Sequence, residues 1–177
     1  MGMFRSNQVD AGLLASYTAQ TGETLAEITS KRSVLLVFLR HFGCTFCREA
    51  TDEIAKKRSS IESGGAQLAF VHLGTEEKAL AFFTPYGLQD APRFADPEGK
   101  LYEAFGLARA DWRQILNQES ILRMLVAWLN GNFVGLPAGD VQRMPGAFLL
   151  VNGEIRKAFR HKLVSDRPDY LALATAT

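Results

Sequence analysis

The chain has 177 residues, 47% of them apolar and 22% charged, with 20 Lys and Arg against 19 Asp and Glu for a formal net charge of +1. That length suits one domain spanning residues 1–177, and the charge balance lacks the clustered basic excess of a nucleic-acid-binding surface. No stretch is apolar and uncharged for the about 20 residues that a membrane span needs, so neither nucleic acid nor membrane is expected as a partner.

The opening MGMFRSNQVDAG has no apolar segment and no small-residue cleavage site. No secretion signal is read there, and a reducing compartment, the cytoplasm, is expected. GETLAEI (22–28) suits a small hairpin or a helical turn ahead of the core. VLLVFL (34–39) is a short, continuous apolar run, the pattern of a strand buried on both faces. It leads through RHFGCTFC into TDEIAKKRSSIESGG, where apolar residues on one side, charges on the other and Gly64-Gly65 as a stop predict a helix over 45–60. QLAFVHLG (67–74) predicts a second strand. TEEKALAFFTPYG (75–87), with Thr75 ahead of two acidic residues, predicts a second helix. Alternating strands and helices imply right-handed crossovers and an α/β sheet with parallel neighbours.

RFADPEGKLYEAFGL (93–107) reads as a strand end, a turn and a short helix. DWRQILNQESILRMLVAWLN (111–130) places Trp112, Ile115, Leu116, Ile121, Leu122, Leu125, Trp128 and Leu129 at mixed three- and four-residue intervals, which predicts an amphipathic helix or helix pair inserted around 107–135. If Trp112 or Trp128 faces outward there, a homodimer is the natural way to cover the patch. PGAFLLVNGEIRKAFR (145–160) puts Asn152-Gly153 between two β-rich runs, a strong hairpin signal. YLALA (170–174) suits a last helix.

Cys44 and Cys47 are the only cysteines, and they sit between a buried strand and the start of a helix. Such a helix start offers unpaired N–H groups and a positive dipole end, which favour a thiolate. Tetrahedral zinc needs four ligands, and His41, His72 and His161 form no second ligand pair, so no metal is expected. A disulfide across so short a loop constrains little of the unfolded chain. The CxxC is therefore read as a redox centre, with Cys44 as the exposed nucleophile and Cys47, one turn on, as the shielded resolving thiol. Thr45 either donates to the thiolate or simply begins the helix. Arg48, Arg40 and Arg143 are candidates to lower a thiol pKa or hold a peroxide oxygen, and each serves equally as a solvated arginine. His41 is a candidate proton shuttle, and Phe42 and Phe46 either shield the site or pack the core. With no nucleotide fingerprint in the chain, no cofactor is expected.

RMPGAFLLVNGEI (143–155) resembles the thioredoxin segment in which a proline precedes an apolar strand and an Asn-Gly turn. That resemblance implies a thioredoxin-like fold, a central mixed sheet flanked by helices with its core over about 20–175, and a cis Met144-Pro145 bond lying against Cys44. The stretch VLLVFLRHFGCTFCREATDEI resembles peroxiredoxin-like proteins related to selenoprotein L, within the alkyl hydroperoxide reductase/thiol-specific antioxidant group. Leu39, Arg40, Gly43, Cys44, Phe46, Cys47 and Arg48 carry the match. It implies a peroxide substrate, or a protein or small-molecule disulfide, with thioredoxin, glutaredoxin or glutathione as reductant. Where peroxiredoxins carry a Pro, a Thr and the attacking Cys, this chain has Arg40, Cys44 and Cys47, so their logic nominates Cys47. Thioredoxin logic, and the selenium that relatives place at the first position, nominate Cys44. A non-enzymatic redox-sensing binding module is the rival of another class.

Overall fold

The computed structural model describes residues 8–107, 143–163 and 165–175. Residues 108–135 of the expected helical insertion, with Trp112 and Trp128 and the dimer argument built on them, lie outside the described residues. Two short helices come first, α1 (Ala11–Ser16) and α2 (Leu25–Lys31). The GETLAEI segment resolves as the start of α2. The Thr24 hydroxyl accepts from the Glu27 N–H while the Glu27 carboxylate accepts from the Thr24 N–H, a reciprocal cap.

The sheet follows as β1 (Ser33–Phe38), β2 (Ala66–His72), β3 (Arg93–Ala95), β4 (Gly146–Val151) and β5 (Glu154–Arg160), in the order β3-β2-β1-β4-β5. β1 is parallel to β2 and antiparallel to β4, so the sheet is mixed, with its parallel half on one side of β1 and a hairpin on the other. Asn152 and Gly153 turn that hairpin at φ 52° and 76°, the left-handed pair that an Asn-Gly turn supplies.

β1 is apolar from Val34 onward, and both of its faces are covered. Leu35 and Val37 face a core made with α3 (Thr45–Ser63), α4 (Glu76–Phe83) and α6 (Tyr170–Ala174). Val34, Leu36 and Phe38 face a second core made with α1, α2 and α5 (Lys100–Ala104). Among the described residues, the predicted helices and strands lie within a few residues of those observed. The segment read as one helix over 75–87 breaks into α4 and a 3-10 turn at Thr84–Tyr86, closed by Gly87 at φ 67°. Pro85 has no N–H to donate into a continued helix.

α5 is the element whose position matters most below. It is only five residues long, and its first turn is held from outside. The buried Asp96 carboxylate accepts from the N–H groups of Lys100 (3.0 Å), Leu101 (2.8 Å) and Tyr102 (3.3 Å), and from the Tyr17 hydroxyl (2.8 Å). Gly99 precedes the helix at φ 74°, and a side chain there would meet the Arg143 guanidinium at 2.6 Å. Removing the carboxylate leaves buried donors unpaired, so Asp96→Ala is expected to lower the unfolding free energy by about 2 kcal/mol. The urea midpoint, with unchanged slope, is the measurement.

Candidate active site

The chain leaves β1 at Phe38, and the Leu39 N–H still donates to the Val71 carbonyl (3.0 Å), extending the β1–β2 ladder by one residue. The next residues turn back across the carboxyl end of the sheet. The Cys44 N–H donates to the His41 carbonyl, and Cys44 becomes the N-cap of α3. Phe46, Cys47, Ala50, Ile54 and Ile61 form the buried stripe of α3, while Asp52–Lys56 and Glu53–Lys57 pair on its outer side. The Thr51 hydroxyl donates to the Cys47 carbonyl (2.7 Å), holding the first turns together.

Both sulfurs are reduced and both are buried, Cys44 at 5% exposure and Cys47 at 4%. The expectation of an exposed Cys44 is corrected: both sulfurs belong to the buried core cluster that also holds Phe42, Phe46 and Met144. Acidity, not accessibility, distinguishes the two thiols. The Arg40 Nη1 lies 3.6 Å from the Cys44 Sγ, and the Arg40 backbone N–H donates to the Cys47 Sγ at 3.3 Å. Cys44 is lowered to about 6, chiefly because the Cys47 thiol donates a hydrogen bond to it and then because the Arg40 charge outweighs part of the burial penalty. Cys47 is pushed well above an ordinary thiol by that same shared proton, by burial and by the charge on Cys44. The Cys47 N–H contributes to Cys44 as well, although without a full capping hydrogen bond. The pair therefore holds one proton, on Cys47.

The two sulfurs open on a small, partly open cavity of about 20 Å³. Its walls include Arg40, Phe46, Pro145, His161, Arg167 and Tyr170. Pro145 thus stands beside the dithiol as the sequence implied, but the cis expectation is corrected: no described peptide bond is cis. The chain enters β4 extended, which the ordinary trans preference of an X–Pro bond allows. Thr45 begins α3, and its buried hydroxyl has no hydrogen-bond partner. Arg48 turns away from the sulfurs, its guanidinium 5.8 Å from the Phe82 ring centroid. Neither Thr45 nor Arg48 lines the cavity. Arg143 pairs with Glu103 at 2.8 Å, away from it. His41 is buried rather than exposed, and burial followed by the Arg40 charge lowers it to about 4, so it carries no charge at neutral pH.

Three groups were not singled out from the sequence as site residues. Arg167 donates to the Phe46 carbonyl (3.3 Å) and to Glu49, bracing the first turn of α3 from the cavity wall. His161, from the sequence a candidate zinc ligand alone, is lowered by burial to about 4 and presents a neutral ring to the cavity. Tyr102 lies behind the dithiol, where its hydroxyl donates to the Leu39 carbonyl. The DPEGK turn marks the start of α5, but nothing local in the sequence tells which residue its tyrosine reaches. Among the described residues no three His, Cys, Asp or Glu side chains converge as a metal site, and no helix is long and apolar enough to cross a membrane.

Residues 53–163 match the AhpC/TSA antioxidant enzyme family, a span that begins after Cys47 and carries neither cysteine. The prostamide/prostaglandin F synthase of Salmo salar is 27% identical over 181 residues, covering 98% of this chain and 86% of that relative. The structure of reduced Prx3 from Vibrio vulnificus in complex with hydrogen peroxide superposes with a TM-score of 0.67 at 14% identity, over 97% of this chain and 98% of that one. A cysteine mutant of the peroxiredoxin 6 of Arenicola marina gives 0.64 at 8% identity, over 89% of this chain and 66% of that longer one. These likenesses establish a peroxiredoxin-like, thioredoxin-like fold.

The Cys44 thiolate should disappear as pH falls through about 6. Its ultraviolet absorbance in the intact dithiol reads that transition, because Cys47 titrates well above an ordinary thiol. In Arg40→Gln the midpoint should move upward, because the guanidinium charge is lost while the Cys47 donor remains.

Proposed function

The chain belongs to the AhpC/TSA antioxidant enzyme family, whose role is thiol redox chemistry, and on that premise we propose that it is a dithiol peroxidase working through Cys44 and Cys47. One observation carries the reading: the Arg40 guanidinium stands 3.6 Å from the Cys44 sulfur, in a cavity that also holds the second thiol. The Cys44 thiolate attacks one peroxide oxygen. The O–O bond breaks, Cys44 becomes a sulfenic acid, and the other oxygen leaves as alcohol or water once it takes a proton. Cys47 then gives up its proton and attacks the Cys44 sulfur, so the Cys44–Cys47 disulfide forms and water leaves. An external dithiol of the thioredoxin or glutaredoxin type, or glutathione, returns the pair to its reduced form. The cytoplasm, where such reductants are kept reduced, suits the cycle.

Arg40 has a second use in this scheme. A guanidinium beside the attacked oxygen stabilises the charge that develops as the O–O bond breaks. It stands where peroxiredoxins carry a proline, which fits the Leu39-to-Arg48 motif's likeness to selenoprotein L-related proteins. The walls formed by Val37, Phe38, Leu39 and Phe46 favour an apolar organic peroxide over a hydrated one. The relatives' names bring prostanoid-type substrates into the set to be tried.

The alternative is a thiol-disulfide oxidoreductase, favoured by the replacement of the peroxidase Pro and Thr by Arg40 and Cys44. Stoichiometric oxidation by hydrogen peroxide and by cumene hydroperoxide decides between them. A peroxidase should lose both thiols orders of magnitude faster than free cysteine. Cys44→Ser should abolish the fast phase, and Cys47→Ser should stop at the sulfenic acid after one turnover. A rate no better than free cysteine for either peroxide would leave disulfide exchange as the function.

A further inference from the structure

The hydrogen-bond pattern behind the dithiol reaches one residue deeper than the cavity. The Tyr102 hydroxyl donates to the Leu39 carbonyl and, at 3.3 Å, to the Val71 carbonyl. The Leu39 carbonyl belongs to the same peptide unit as the Arg40 N–H, which donates to the Cys47 Sγ at 3.3 Å. A donor on the oxygen of a peptide draws electron density from its nitrogen and strengthens the opposite N–H as a donor. Tyr102, Leu39, Arg40 and Cys47 therefore form a one-directional chain that ends on the resolving sulfur.

We propose that Tyr102 is a positioning residue for Cys47: by fixing and polarising the Leu39–Arg40 peptide, it stabilises negative charge on the Cys47 sulfur and speeds closure of the Cys44–Cys47 disulfide. This deepens the dithiol reading given above and rests on it. Cys47 is the thiol that starts protonated, so closure requires its proton to leave while charge builds on a buried sulfur. A backbone donor aimed at that sulfur acts where the charge appears.

The surroundings fit this use. Tyr102 is fully buried, and burial holds its hydroxyl in the donating form far above neutral pH, the more so once Cys47 ionises. The ring cannot drift, because it packs edge-on against Phe38 at 5.0 Å between centroids. Its backbone N–H is held by Asp96, which anchors the start of α5. Tyr102→Phe therefore removes one oxygen and leaves the packing in place.

The test separates closure from peroxide chemistry by using dithiodipyridine. The Cys44 thiolate attacks this small disulfide, releasing one thiopyridone and leaving a mixed disulfide on Cys44. Cys47 then loses its proton to solvent and attacks the Cys44 sulfur, expelling the second thiopyridone as the internal disulfide forms. Tyr102→Phe should leave the first release unchanged and slow the second by about threefold to tenfold. Site-specific 3,5-difluorotyrosine at 102, a stronger donor of nearly the same shape, should restore or exceed the wild-type rate, and it keeps the test in hand if Tyr102→Phe does not fold. Equal second-phase rates in all three proteins, with only thermal stability altered, would make Tyr102 a structural clamp between β1 and β2 and overturn the proposal. Failure of Cys44 to take the reagent at all is a different result, which would overturn the dithiol function and this inference together.

Discussion

Arg40 touches both sulfurs through two different parts of itself, and the chemistry of the site depends on that division. Its guanidinium approaches Cys44, while its backbone N–H donates to Cys47. A full charge beside one sulfur and a neutral dipole beside the other break the symmetry of two thiols that are otherwise almost equally buried. The proton they share then settles on Cys47, and the free thiolate on Cys44 faces the cavity. The hydrogen bond from Cys47 is the larger cause of the low Cys44 pKa, and the Arg40 charge adds to it on the Cys44 side.

The fold exists around this residue in a direct sense. Arg40 follows the central strand by two positions, so its backbone is set by β1, which is paired on both edges and covered on both faces. One layer delivers α3 and the cysteines. The opposite layer delivers α5 and Tyr102, whose hydroxyl meets the last carbonyls of the β1–β2 pair. Pro145 and Gly146 bring in the third wall at the start of β4, and Arg167 braces α3 from the C-terminal segment. Four segments far apart in sequence therefore converge at the carboxyl end of β1, where parallel strands of an open sheet place their sites.

Much of this was legible in the sequence. The unbroken apolar run of β1, the CxxC at the head of a helix, the Asn-Gly hairpin and the proline before β4 each obey a local rule, and each lies where that rule puts it. What could not be read was long-range geometry. Exposure of Cys44 depends on which distant residues complete the core around it, so the thiol expected at the surface is buried. The role of a given arginine depends on which way its side chain turns: Arg40 reaches the sulfur, whereas Arg48, one residue from Cys47, lies against Phe82. Tyr102 and Arg167 act across separations of 63 and 121 residues, which no local pattern encodes. The trans Met144-Pro145 bond shows the same limit, since proline permits both isomers and the surroundings select one.

The central claim is that the pair carries one negative charge and that it resides on Cys44. Sub-stoichiometric alkylation of the reduced protein by iodoacetamide at neutral pH tests it directly, because a thiolate reacts and a thiol does not. Trypsin releases both cysteines in the single peptide HFGCTFCR (41–48), and fragment-ion masses assign the label within it. The account predicts a label on Cys44 almost alone. A label on Cys47, or one divided evenly between the two, would contradict it.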